Sequence, residues 1–144
     1  MTQSPSPSPL TWEEAKASTQ ATEREIVSLI PAEEVAAVDQ LPEGSLLSCN
    51  EGGHAWLGGT KVTLVPGVHA EDVVRALETR FTDGRFDIRT RRNIDGDYEV
   101  QLLATSNERE NYIISRYKAD DTIDISSASP CFTLPEGVYP GGTF

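Results

Sequence analysis

From Trp12 to Leu29 the apolar and small positions recur at steps of three and four: Trp12, Ala15, Thr19, Thr22, Ile26 and Leu29. That spacing lays them in one narrow stripe along an α-helix, a face meant for a core. Thr11-Trp12-Glu13-Glu14 has the form of a capping box, so the helix is expected to start there and to stop at Pro31. Ala32 to Gln40 reads as a further helical turn or two, closed off by Pro42 and Gly44. A second amphipathic helix is expected over Val68 to Phe81, with Val73, Val74, Leu77 and Phe81 on one side and Asp72, Arg75 and Glu78 elsewhere.

Elsewhere the period drops to two. A strand is expected from Ser45 to Cys49, then a turn from Asn50 to Gly53 and a strand from Ala55 to Val65, in which Gly58-Gly59 points to a bulge. Phe86, Ile88 and Thr90 alternate with Asp87, Arg89 and Arg91, Asp95-Gly96 offers a tight hairpin turn, and Tyr98, Val100 and Leu102 return. Asn111 to Lys118 and Thr122 to Ser127 supply two more strands, joined by Ala119-Asp120-Asp121. The order helix, two strands, helix, four strands predicts an α+β fold: an antiparallel sheet of about five to six strands with two helices packed on one face. Ser4 to Pro9 alternates serine with proline and has no apolar face, so residues 1–10 are expected to form a disordered tether. Residues 11–137 then make a single domain, and residues 138–144 a flexible C-terminal tail.

A chain of 144 residues suits one domain. Its formal charge of -11, from 23 acidic against 12 basic residues, sets the overall field against a phosphate backbone or an anionic lipid surface. Nucleic acid is therefore not an expected partner. No stretch has the 18 or so apolar residues of a membrane span, and the N-terminus shows neither a basic start nor an apolar core of a signal peptide.

Cys49 and Cys131 do not form a C-x-x-C pair, and each sits at the edge of an expected strand. Neither has a Lys, Arg or His neighbour in sequence that would activate its thiol. The arrangement favours a Cys49–Cys131 bridge over two inert core thiols, and a bridge implies an oxidising compartment.

Several segments together carry a family resemblance: the proline-rich start, Leu29-Ile30-Pro31 at a helix end, Leu46-Leu47-Ser48-Cys49, Asp95-Gly96-Asp97-Tyr98-Glu99-Val100, and Ile123 to Ser127 leading to Cys131-Phe132. In this order they resemble small lipoproteins of actinobacteria, the LppA-like group among them. The resemblance implies export, a lipid anchor on an upstream cysteine, and no assigned activity. Any membrane attachment would then run through an anchor that this chain does not itself carry.

Catalytic motifs are sparse. His54 and His69 are the only histidines, and neither has a second ligand at metal-binding spacing, so no metal and no cofactor is expected. Asn93 to Glu99 matches a calcium loop only in part, and a hairpin turn accounts for it better. No G-x-S-x-G elbow occurs and the paired glycines fit no phosphate loop, so no catalytic residue is expected. Arg85, Arg89, Arg91 and Arg92 form the one basic cluster, and Arg89 with Arg91 must share a sheet face. They serve either as a partner-binding site or as cross-strand partners of Glu99 and other carboxylates. Trp56, between Gly53 and Gly58, either presents its ring to a ligand or packs at a core rim. The sequence thus points to a non-catalytic extracytoplasmic binding or scaffolding module for an envelope protein or ligand. The alternatives are a hydrolase-like envelope enzyme with a site assembled in space, favoured if His54 or His69 meets carboxylates in a pocket, and a cytosolic regulatory protein.

Overall fold

A computed structural model describes residues 10–49, 52–106 and 109–144. The expected tether lies outside the described residues except for Leu10, as does the first half of the turn expected over Asn50 to Gly53. In chain order the elements are α1 (Trp12–Ser28), a 3-10 turn (Ala32–Glu34), β1 (Val35–Gln40), β2 (Ser45–Ser48), β3 (His54–Leu64), α2 (Ala70–Glu78), β4 (Phe86–Arg92), β5 (Tyr98–Ala104), β6 (Asn111–Tyr117) and β7 (Ala119–Ala128).

Helix α1 begins with both halves of its capping box in place: Thr11 Oγ1 accepts from the Glu14 amide and Glu14 Oε1 from the Thr11 amide, each at 3.1 Å. Such a cap is worth about 1 kcal/mol. All strand pairs are antiparallel, in the order β1-β3-β7-β6-β5-β4, and β2 continues the edge begun by β1 by pairing with the first half of β3. The sheet therefore has seven strands, more than the expected five to six. The extra one is β1, where a helical turn was expected. Val35-Ala36-Ala37-Val38 suits a helix by composition, but pairing with Thr63 and Val62 along β3 overrides that weak preference.

Two local details also differ from the pattern. The β3–β7 register runs unbroken from Leu57 to Thr63, so Gly58-Gly59 forms no bulge there, and the irregularity sits between Val35 and Ala37. The β6–β7 connection turns at Lys118, which takes a left-handed φ of 62°, and Ala119 to Asp121 already belong to β7.

Both helices pack on one face of the sheet, α1 across β3 and β7, α2 across β5 to β7. Alternate residues of the strands supply that face: Val62 and Leu64, Val100 and Leu102, Tyr112 and Ile114, Ile123 and Ile125. They meet Ile26 of α1 and Val73, Val74 and Leu77 of α2 in the main core. A second, smaller cluster holds Ala15, Trp56, Phe132 and Phe144, with Leu10 and Trp12 packed against it. Between the two, on all three elements that join them, lies a polar layer. Glu23 of α1 is fully buried there and accepts hydrogen bonds from the hydroxyls of Thr60 on β3 and Ser127 on β7. A buried carboxyl group needs such donors, since leaving it unpartnered costs several kcal/mol.

At the end of the segment expected as a flexible tail, the last residue packs on the domain while residues 138–143 are exposed. Phe144 is buried, its ring meets Trp12 edge-on at 5.2 Å, and its backbone exchanges hydrogen bonds with Gly44. The Phe144 ring covers apolar surface of the second cluster.

Candidate functional site

Cys49 and Cys131 are bonded, with their Cα atoms 6.4 Å apart. Cys49 follows the last residue of β2 and Cys131 precedes Phe132, which bridges to His54 at the start of β3. The bond thus ties the β2 edge to the exit from β7 across the beginning of β3. Both thiols are consumed, so neither acts as a nucleophile, and the bond itself points to a location outside the cytosol.

Trp56 does not present its ring to a ligand. It is fully buried in the second cluster, with its indole N–H donating to the Phe144 carbonyl at 3.1 Å. Gly58 and Gly44 are glycines because the indole needs the room: a Cβ at Gly58 would stand 2.2 Å from the ring, and one at Gly44 2.9 Å from it and 1.9 Å from the Leu57 carbonyl oxygen. Gly58, which with Gly59 points to a bulge in the sequence, is instead where the ring packs.

The four arginines separate. Arg85 reaches Glu25 of α1 at 2.6 Å, and Arg92 pairs with Glu71 of α2. Arg91 lies opposite Glu99 on the face of the sheet away from the helices, 3.4 Å from its carboxylate, as a cross-strand reading expects. Glu99 is 5% exposed at its side chain and Arg91 62%, so the guanidinium still faces solvent. Arg89, opposite Gln101, is exposed and has no carboxylate partner among the described residues. The strand that carries Arg89 and Arg91, β4, is the last in the sheet and pairs with β5 alone. Its hairpin is closed by Asn93, whose side chain accepts from the Asp95 and Asp97 amides, and by Gly96 at a left-handed φ of 84°. Polar residues satisfy this turn, yet its tip is Ile94, fully exposed. A network holds the hairpin to the body of the domain: Arg75 stacks on Tyr98 at 4.1 Å, the Tyr98 hydroxyl donates to Glu78, and Arg116 bonds Asp97 at 2.8 Å.

A cleft of about 250 Å³ opens between the end of α1 and the start of α2. Ile30, Val68, Val73 and Leu77 form its apolar wall, while Glu34, His69, Asp72 and Arg80 bring polar groups to its lining. Arg80 donates to the Leu29 carbonyl and so caps the end of α1. His69 Nδ1 is hydrogen-bonded to Asp120 at the start of β7. Asp120 was hidden from sequence reading because residues 119–121 look like a turn. The cleft lining contains no Ser, Thr, Cys, Lys or Tyr. His54, by contrast, lies at the start of β3 beside Phe132, and its buried Nδ1 has no hydrogen-bond partner among the described residues. Among the described residues no group of three or more His, Cys, Asp or Glu is placed to hold a metal ion, and no helix is long and apolar enough to cross a membrane.

The hydrogen bond to Asp120, and then its charge, hold His69 above the ordinary imidazole range. A group raised on folding contributes stability below its unfolded pKa, and that contribution fades as pH rises through the folded value. Proton-detected histidine titration is therefore expected to show the His69 ring titrating above the ordinary imidazole value. Asp120→Asn should bring that ring back down, and an unshifted titration in the variant would show that the contact does not exist in solution.

No protein-family model matches the chain, and no curated protein shows significant similarity to it. Among solved structures it is similar to a DUF4853 family protein from Actinomyces odontolyticus ATCC 17982, with a TM-score of 0.53 and 13% identity over 85% of this chain and 69% of that one. At that identity the likeness is one of fold, and the neighbour comes from an actinobacterium of the kind the sequence resemblance points to.

Proposed function

We propose that this chain is a non-catalytic, extracytoplasmic binding module that holds a protein partner on the β4–β5 hairpin, and that it works at the cell envelope through a lipid anchor. The observation that carries the reading is the pairing, on one exposed edge, of an unpartnered Arg89 and a largely exposed Arg91 with Ile94 at the hairpin tip. A fully exposed isoleucine in a turn already closed by Asn93 and Gly96 does nothing for folding, whereas an apolar tip beside forked cationic donors is what a protein contact needs. The disulfide supports the compartment, and the resemblance to actinobacterial lipoproteins supports the anchor.

The test replaces Ile94 with a photo-crosslinking residue and exposes the protein to envelope extract. A discrete adduct is expected, and it should disappear when Arg89→Glu is added. Because Arg89 touches no carboxylate, that change should alter stability by less than about 0.5 kcal/mol. Arg91 is better replaced by Gln than by Glu, which would set a second carboxylate against the buried Glu99. An adduct of undiminished yield in Arg89→Glu would sink the reading.

A second reading has one observation in its favour. His69, oriented by Asp120 on the rim of a cleft that also carries Asp72 and Glu34, has the form of a base held by a carboxylate. On this reading the chain would activate water, since no nucleophilic side chain lines the cleft. His69→Ala abolishing a hydrolytic activity of the purified protein would establish it over the binding role.

A further inference from the structure

The hairpin is more than a charged patch, because among the described residues β4 is also a free sheet edge. The Arg85 carbonyl accepts from the Thr105 amide and the Asn93 amide donates to the Asp97 carbonyl, so the odd-numbered residues of β4 bond toward β5. In an antiparallel ladder the even-numbered ones, Phe86, Ile88, Thr90 and Arg92, then turn their amides and carbonyls outward. Unpaired edge groups are a template for one more strand. Arg89 and Arg91, two residues apart, stand side by side on the open face, where a strand laid against β4 would place its own alternate side chains about 5 Å away.

Resting on the reading of the hairpin as the contact surface, we propose that its ligand is an extended acidic segment of another protein that adds to β4 as an eighth, antiparallel strand. Its carboxylates would alternate so as to face Arg89 and Arg91, with a β-branched residue between them on the side of Thr90. Charge selects this occupant. Although the chain carries a net -11 overall, the open face of β4 presents Arg89 and Arg91, two forked donors that carboxylates of an added strand can meet. A second copy of the chain is the competing occupant. Two-fold antiparallel registers centred on residues 88 to 90 set arginine against arginine, yet those centred on 88 and 89 also set Asp87 against Arg89 or Arg91, whereas an acidic strand meets the two arginines without bringing an arginine of its own. The edge is ready-formed, since Arg92 is anchored to Glu71 and Tyr98 to Glu78 on α2.

Binding of a fluorescent peptide alternating Glu with Val, followed by anisotropy on the full chain, tests this. Three results are expected: binding, a loss of about tenfold or more when alternate peptide amides are N-methylated, and a similar loss in Arg89→Glu. Hydrogen exchange should slow at Ile88 and Thr90 on addition of the parent peptide. An N-methylated peptide that binds as well as its parent would overturn strand addition while leaving the arginine surface standing. If no alternating Glu peptide binds, the acidic-strand proposal falls, and the crosslinking result decides the broader reading on its own. A dimer in sedimentation that dissociates in Arg89→Glu would also overturn it, because the edge would then belong to a second copy.

Discussion

Cys49→Ser with Cys131→Ser is expected to lower the unfolding free energy by about 4.5 kcal/mol, the loop-closure value for a ring of this size. The ring is long, with the cysteines 82 residues apart, so the unfolded chain loses much freedom when it is closed. Strain or residual structure would reduce the figure, and half of it would still be a large part of a typical domain's stability. The loss should also have a place. The bond lies where β2, the start of β3 and the exit from β7 meet, next to Phe132 and therefore beside the second cluster. Reduction should loosen that end first, and Trp56, now dry, should shift its emission to the red before the main core melts. Urea titrations with and without reductant measure the free energy, and tryptophan emission at sub-denaturing urea reports the order of events. Identical midpoints in the two titrations would show that the bond does not restrain the unfolded chain.

The legible parts of this fold are those in which local chemistry and tertiary packing agree. Thr11 and Glu14 mark the start of α1 because a capping box satisfies its own amides. The β4–β5 hairpin is readable because Asp95-Gly96 supplies the left-handed turn between two alternating runs. The Arg91–Glu99 pair follows from that register. Where packing decides against local preference, reading fails. β1 is alanine-rich and lacks a period of two, and only the free edge of β3 makes it a strand. Phe144 comes back to the domain because the second cluster needs a ring there, and nothing in Gly141-Gly142-Thr143 says so. Glu23 looks like a solvent-facing helix residue, but it lies four residues after Thr19 and three before Ile26, on the buried stripe, and that offset was a usable signal. The His69–Asp120 contact joins residues 51 apart, a pairing that only the completed β6–β7 hairpin creates.

Trp56→Ala carries the other large effect, a loss of about 3–5 kcal/mol, the usual range for removing a buried aromatic side chain. The indole is the centre of the second cluster and the anchor for the C-terminal segment, through its hydrogen bond to the Phe144 carbonyl. Amide exchange over residues 138–144 should therefore quicken in this variant. Gly58→Ala should by itself cost about 1–3 kcal/mol, because the new methyl meets a ring that has nowhere to go. The two changes should not add. With the indole gone, the methyl at position 58 enters vacated space, so the clash disappears and a little of the cavity is filled. The double variant should then be more stable than the sum of the single losses predicts, by about 1–3 kcal/mol, within the range that directly contacting residues show. Such a cycle, run by urea denaturation, isolates the contact from whatever else each change does. Strict additivity would mean that Trp56 does not lie over Gly58, and with that the account of why this strand carries its glycines would fail.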